Sequence, residues 1–286
     1  MAAVPSLPLA ATTLVAIAGC RGAGGPKVTL RYHPPAGATY HYALNQQNAM
    51  RLPSGPIGGM PYEQKLVLRL YYTQLVHGPA PGGVAVTVTF DSTRLEAPGL
   101  TASGLQLTLD GLRGSKSEVV YDDRMHVLSA AFSGLEGAPS PVSDQIAGSV
   151  KAMALLLPDG PVGVGDSWVT EQELPLAQQV GTNAPIKSRT KLTMKEIVVA
   201  GADTSVRLAV ETTFPGDPVA LNLQGRAATM RLSGGLSGER VYSLTRGAQV
   251  RTNMGGTMTI AVRGGQAGET TIVMTQQMAL ALTGAK

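Results

Sequence analysis

A mainly β fold, two antiparallel β-meanders bridged by one amphipathic helix at about residues 141–157, is what this sequence predicts. Through most of its 286 residues apolar side chains alternate with period two, the signature of half-buried strands. The alternating runs are separated by short clusters rich in Gly, Pro and Asp, which are turn chemistry. One segment alone switches to a helical period. The meanders are expected to form a curved sheet or half-barrel.

Residues 1–19 read as a signal segment. The stretch from Leu7 to Ala18 is largely apolar, densest at Leu14-Val15-Ala16-Ile17, and too short for a bilayer span of roughly 20 residues. It ends in Ile17-Ala18-Gly19-Cys20, which holds the only cysteine of the chain. That sequence resembles a bacterial lipobox, where cleavage before the cysteine leaves it as a lipid-bearing N-terminus. The resemblance implies lipidation at Cys20 and a partner in the membrane. Arg21 is not the aspartate associated with inner-membrane retention, so in a Gram-negative cell it implies the periplasmic face of the outer membrane. Residues 20–27 are Gly- and Ala-rich and read as a short tether.

Residues 28–140 are expected to form the first meander, with Val84, Val86, Val88 and Phe90 on one face of a strand. In the next segment Val142, Ile146, Val150, Met153 and Leu157 recur at helical spacing. Ser140 is its candidate N-cap, Pro141 its first residue and Pro158 its stop. Residues 158–286 give the second meander, including Val206, Leu208 and Val210, and a long strand through Ile272, Met274, Met278, Leu280 and Leu282. The two flanks of the helix share an order of short matches. Gly37-Ala-Thr-Tyr40 answers to Gly165-Asp-Ser-Trp168, Lys65-Leu66 to Lys191-Leu192, Leu112-Arg-Gly114 to Leu236-Ser-Gly238, and Val120-Tyr121 to Val241-Tyr242. This order predicts an internal duplication.

Leu157-Pro-Asp-Gly-Pro-Val-Gly-Val-Gly-Asp-Ser-Trp168, with Gly37-Ala-Thr-Tyr40 near the start, resembles a family of uncharacterised bacterial β-rich lipoproteins. They carry a central Pro-Val-x-x-Gly-Asp-x-Trp element. The resemblance implies a β-rich envelope lipoprotein and supplies no catalytic residues, because no function is established for that family.

Composition excludes several classes. The net charge is +4, Lys and Arg form no run, and only 4% of residues are aromatic, so the clustered cations and stacking rings of nucleic-acid binding are missing. One Trp argues against carbohydrate platforms, and one Cys against disulfide chemistry. Gly165-Asp166-Ser167 and Asp123-x-x-His126 superficially match two blocks of GDS-type esterases. In those enzymes the serine precedes the Asp-His block, whereas here Ser167 follows it. His33, His41, His77 and His126 lack metal-ligand spacing, and Glu171 and Glu173 read as a solvated strand face. No nucleotide-binding glycine pattern occurs, and no cofactor is expected.

The methionines point elsewhere. With a hairpin tip at Gly264 to Gly268, Met254 falls opposite Met278, Met258 opposite Met274, and Ile260 opposite Ile272. Methionine repacks readily, so this strip suits an adaptable apolar surface. The expected role is non-enzymatic, a lipid or apolar-ligand module. The alternatives are a docking lipoprotein with a solid core and, remotely, a serine esterase using Ser167.

Overall fold

The computed structural model describes residues 25–52, 62–97, 109–133, 154–174, 186–223, 226–264 and 269–286. Among these residues eleven strands form one antiparallel sheet: β1 (Thr39–Leu52), β2 (Tyr62–Ala80), β3 (Gly83–Glu96), β4 (Lys116–Tyr121), β5 (Val127–Ser133), β6 (Ser167–Leu174), β7 (Ile186–Ala200), β8 (Asp203–Leu223), β9 (Arg226–Ser243), β10 (Ala248–Gly264) and β11 (Glu269–Ala285). The order across the sheet is β5-β4-β3-β2-β1-β11-β10-β9-β8-β7-β6. Each meander thus runs between an edge and the centre, and β1 pairs with β11 to merge the two.

The alternation read from the sequence sets which face is covered. Val84, Val86, Val88 and Phe90 on β3 are buried, as are Val206, Leu208 and Val210 on β8. Both sets belong to one large core that also takes in Tyr40, Tyr42 and Leu44 of β1 and Leu192 and Met194 of β7. A second, smaller core gathers Ile186, Phe214, Leu221, Met230, Leu232 and Met258.

The two halves repeat local geometry as well as strand order. Gly37 donates its N–H to the Val76 carbonyl, and Val76 donates back to Ala38. Gly165 donates to Met194, and Met194 back to Asp166. Both glycines have positive φ, 81° and 94°, a conformation that only glycine adopts freely. A β-bulge follows each partner, between Val76 and Gly78 on β2 and between Met194 and Glu196 on β7.

The expected bridging helix is not seen. Residues 141–153 lie outside the described set, but its last turn, Ala154 to Leu157, is irregular chain. Ala154, Leu155 and Leu157 are all buried in the large core. Their backbone groups are spent on other elements: Leu157 N–H donates to the Arg124 carbonyl, Arg124 Nε to the Leu157 carbonyl, and Trp168 Nε1 to the Leu156 carbonyl at 3.0 Å. Pro158 also pushes Leu157 away from helical dihedrals.

A second strap precedes β1: residues 28–38 cross the core with Leu30 and Tyr32 buried, making an isolated antiparallel bridge, Val28 to Val162. Arg31 ties the straps together through Nη1 to the Pro158 carbonyl at 2.9 Å, Nη2 to the Asp159 carbonyl at 2.6 Å, and an ion pair with Asp123 at 3.0 Å.

Tyrosines fill the space under the straps. Tyr242 donates to the Arg31 carbonyl, Tyr40 to Arg246 and Tyr42 to Gln249, while Tyr32 meets Tyr121 edge to face. Burial raises the pKa of Tyr32, Tyr40, Tyr42, Tyr72, Tyr121 and Tyr242, that of Tyr121 to about 12. An unfolded tyrosine ionises near pH 10. Because the folded values are raised, the contribution of these phenols is whole below about pH 10 and is lost as pH climbs toward those values. Stability is therefore expected to fall steeply above about pH 10. Tyrosinate absorbance of these six residues should appear together with the loss of β circular dichroism. Their ionisation in a still-folded chain would contradict the packing described.

Candidate apolar ligand face

The apolar strip has the register the hairpin predicted. Met254 pairs with Met278, Met258 with Met274 and Ile260 with Ile272. Residues opposite one another in an antiparallel ladder share a face, so these six side chains form one patch. Its continuation onto β1 is set by Met278 opposite Gln46, Gln276 opposite Asn48 and Met274 opposite Met50. An amide row, Gln46, Asn48 and Gln276, therefore crosses the apolar face between its two halves.

The members differ in burial. Met254 and Met258 are buried, one in each core. Ile260, Ile272, Met274 and Met278 are only half-buried. Apolar surface thus remains open beside packed core.

The face also holds a cation. Arg240 on β9 stands opposite Thr252 on β10 and Leu208 on β8, which are 1% and 0% exposed. Its Nη2 lies 3.9 Å from Met254 Sδ, and its Nε is shut off from solvent with no hydrogen-bond partner among the described residues. Burial lowers the guanidinium pKa to about 10, leaving it charged at neutral pH. Arg240 is not among the residues that the sequence motifs single out. Its place in the alternation, two residues before buried Tyr242, was the available signal.

A depression of about 410 Å³ lies over β1, β11 and β10; Met254 and Met278 contribute to its lining together with Asn45, Gln47, Asn253 and Gln277 around Gly255 and Ala279. The four amide residues occupy the alternate positions of their strands, out of phase with the two methionines. Another of about 380 Å³ sits between residues 32–36 and the β2–β3 turn, beside Asp123.

The other sequence candidates are dispersed. Ser167 is exposed at the start of β6, and Asp166 beside it accepts from Gly163 N–H and pairs with Lys27. His126 lies in the turn before β5, at the opposite edge of the sheet, and bonds Asp122 at 2.7 Å rather than Asp123. Partial burial works to raise the Asp122 pKa. The bonds from the His126 side chain and from the amides of His126 and Arg124 outweigh it, and the net shift is downward. His41 and His77 bond the hydroxyls of Thr73 and Thr87. Glu171 and Glu173 stand opposite Arg189 and Lys187. Among the described residues no group of three His, Cys, Asp or Glu side chains could hold a metal ion. Cys20 lies outside the described residues, and among those described no helix is long and apolar enough to cross a membrane.

No protein-family model matches the sequence, and no curated protein matches it. Among solved structures, lipovitellin, in a structure of its lipid–protein interactions, matches 88% of this chain at 11% identity with a TM-score of 0.48. The match covers 26% of the lipovitellin chain, so this chain spans about a quarter of that protein. A likeness at this level says nothing of what this chain binds.

Proposed function

We propose that this chain is a non-enzymatic lipoprotein of the bacterial cell envelope, held to the membrane through Cys20, whose sheet binds a lipid or other apolar ligand. The observation that carries the ligand is the strip of Ile260, Ile272, Met274 and Met278, which stays half-buried on the apolar face of an open sheet. Apolar surface left open on a folded chain, here in two halves on either side of Gln276, is where an apolar partner can gain contact. Methionines suit a flexible hydrocarbon because they repack around it. The anchor rests on the Ile17-Ala18-Gly19-Cys20 sequence.

Two measurements test the reading. Cys20→Ala is expected to move the protein from the membrane fraction to the soluble or uncleaved form, since each buried acyl methylene contributes about 0.8 kcal/mol to anchoring. Wild type purified without detergent is expected to carry lipid mass in native mass spectrometry. A ligand-free wild type that also fails to take up added lipid would favour the docking lipoprotein with a solid core, for which the packed cluster around Met258 speaks.

A further inference from the structure

Arg240 has no structural task that explains its position. Its neighbours across the ladder are Leu208 and Thr252, and the next residues along the same face are Gly238, opposite Met254 and Val210, and Tyr242. The Thr252 hydroxyl already accepts from Gln249. The acids of the surrounding strands are committed to the other face. Glu239 and Glu211 occupy the alternate positions, Glu196 pairs with Arg207, and Asp203 with Arg246 and Ser243. Among the described residues the guanidinium therefore meets no carboxylate, and only a thioether lies within reach.

Arg240 as a whole is half-buried, but its Nε is closed off from solvent, and a polar group shut away from water without a partner is destabilising. Glycine at position 238 leaves the wall bare beneath the side chain as it reaches toward Met254. The charged fork thus lies at the end of the half-open methionine strip. Guanidinium is the donor geometry suited to a planar carboxylate or a phosphate.

We propose that Arg240 receives the anionic head of an amphiphile, a carboxylate or phosphate monoester, whose hydrocarbon chain runs along Met254, Met278 and Met274. This rests on the apolar-ligand reading above and adds the head-group chemistry to it. The ion pair would form in apolar surroundings, where a charge-assisted, two-pronged bond is strong.

The test uses the full chain and matched probes: a fluorescent fatty acid, its methyl ester, an alkyl phosphate and inorganic phosphate. Wild type is expected to bind the acid at least tenfold more tightly than the ester, to bind the alkyl phosphate like the acid, and to show no competition from inorganic phosphate at comparable concentrations. Competition by inorganic phosphate alone, without alkyl-chain binding, would make the site a free-anion site and overturn the amphiphile. R240Q is expected to erase the acid-over-ester preference, with R240K keeping part of it. R240M is expected to raise the Tm of the ligand-free protein while losing the preference, which a structural arginine would not do. Equal wild-type affinity for acid and ester overturns the proposal and leaves the apolar-ligand reading standing. Binding of neither overturns both. The wild-type comparison holds even if a variant fails to fold.

Discussion

Gly256→Ala is expected to destabilise the protein by more than about 3 kcal/mol, beyond the usual cost of overpacking by a methyl group, while Gly255→Ala next to it stays within about 1 kcal/mol of wild type. Position 256 faces β9, where an added Cβ would fall well inside van der Waals contact of the Gly235 carbonyl oxygen and 2.9 Å from Leu236 Cα. Gly238 presents the same problem toward the Asn253 carbonyl oxygen, and Gly234 toward that of Thr257. At these glycines the missing side chain would point along the sheet into the neighbouring strand, which is the geometry of a sharp bend. At Gly255 the nearest atom is the Gln276 carbonyl oxygen at 3.4 Å, ordinary contact distance. Urea unfolding checks the pair: the midpoint should fall for Gly256→Ala at an unchanged slope and hold for Gly255→Ala. Equal effects would mean that β9 and β10 do not bend together here.

The glycines explain part of what the sequence could convey and part of what it could not. Read one at a time they look like turns, and Gly37 and Gly165 are turns, with the positive φ that turns require. Gly234, Gly235, Gly238 and Gly256 lie inside the long strands β9 and β10, where glycine serves curvature. Register was legible wherever alternation ran up to a hairpin, because a one-residue slip would turn every apolar side chain outward. That is why Met254, Met258 and Ile260 met their expected partners on β11. The pairing of β1 with β11 was not legible. It joins strands more than two hundred residues apart, and nothing local specifies it. The helix expectation failed at Leu155 and Leu157, two residues apart and both buried, because a strap crossing a sheet buries whatever the sheet beneath it demands. The Val28–Tyr32 stretch alternates like a strand for the same reason, yet makes a single bridge. Arg240 is not legible because a polar residue in the apolar phase reads as an interruption, and only its buried Nε, without a hydrogen-bond partner among the described residues, marks it out.

Met258→Lys and Met274→Lys are expected to part company, although the two methionines face each other across β10 and β11. Met258 is 5% exposed and packed with Phe214, Met230 and Leu232, so a lysine there buries a charge with no partner. The cost is expected to be on the order of 4 kcal/mol or more, enough to unfold a domain of ordinary stability. Met274 is half-buried at the margin of the same cluster. A lysine stem there can lie along the apolar surface with its ammonium in water, so folding is expected to change by no more than about 1 kcal/mol. The charge would nevertheless sit at the mouth of the strip. Binding of a neutral apolar probe such as phenylnaphthylamine is expected to weaken at least tenfold in folded Met274→Lys. Circular dichroism and thermal melting separate the two effects. If Met274→Lys stays folded and binds the probe as wild type does, this face holds no ligand, and its open methionines are surface for a protein partner instead.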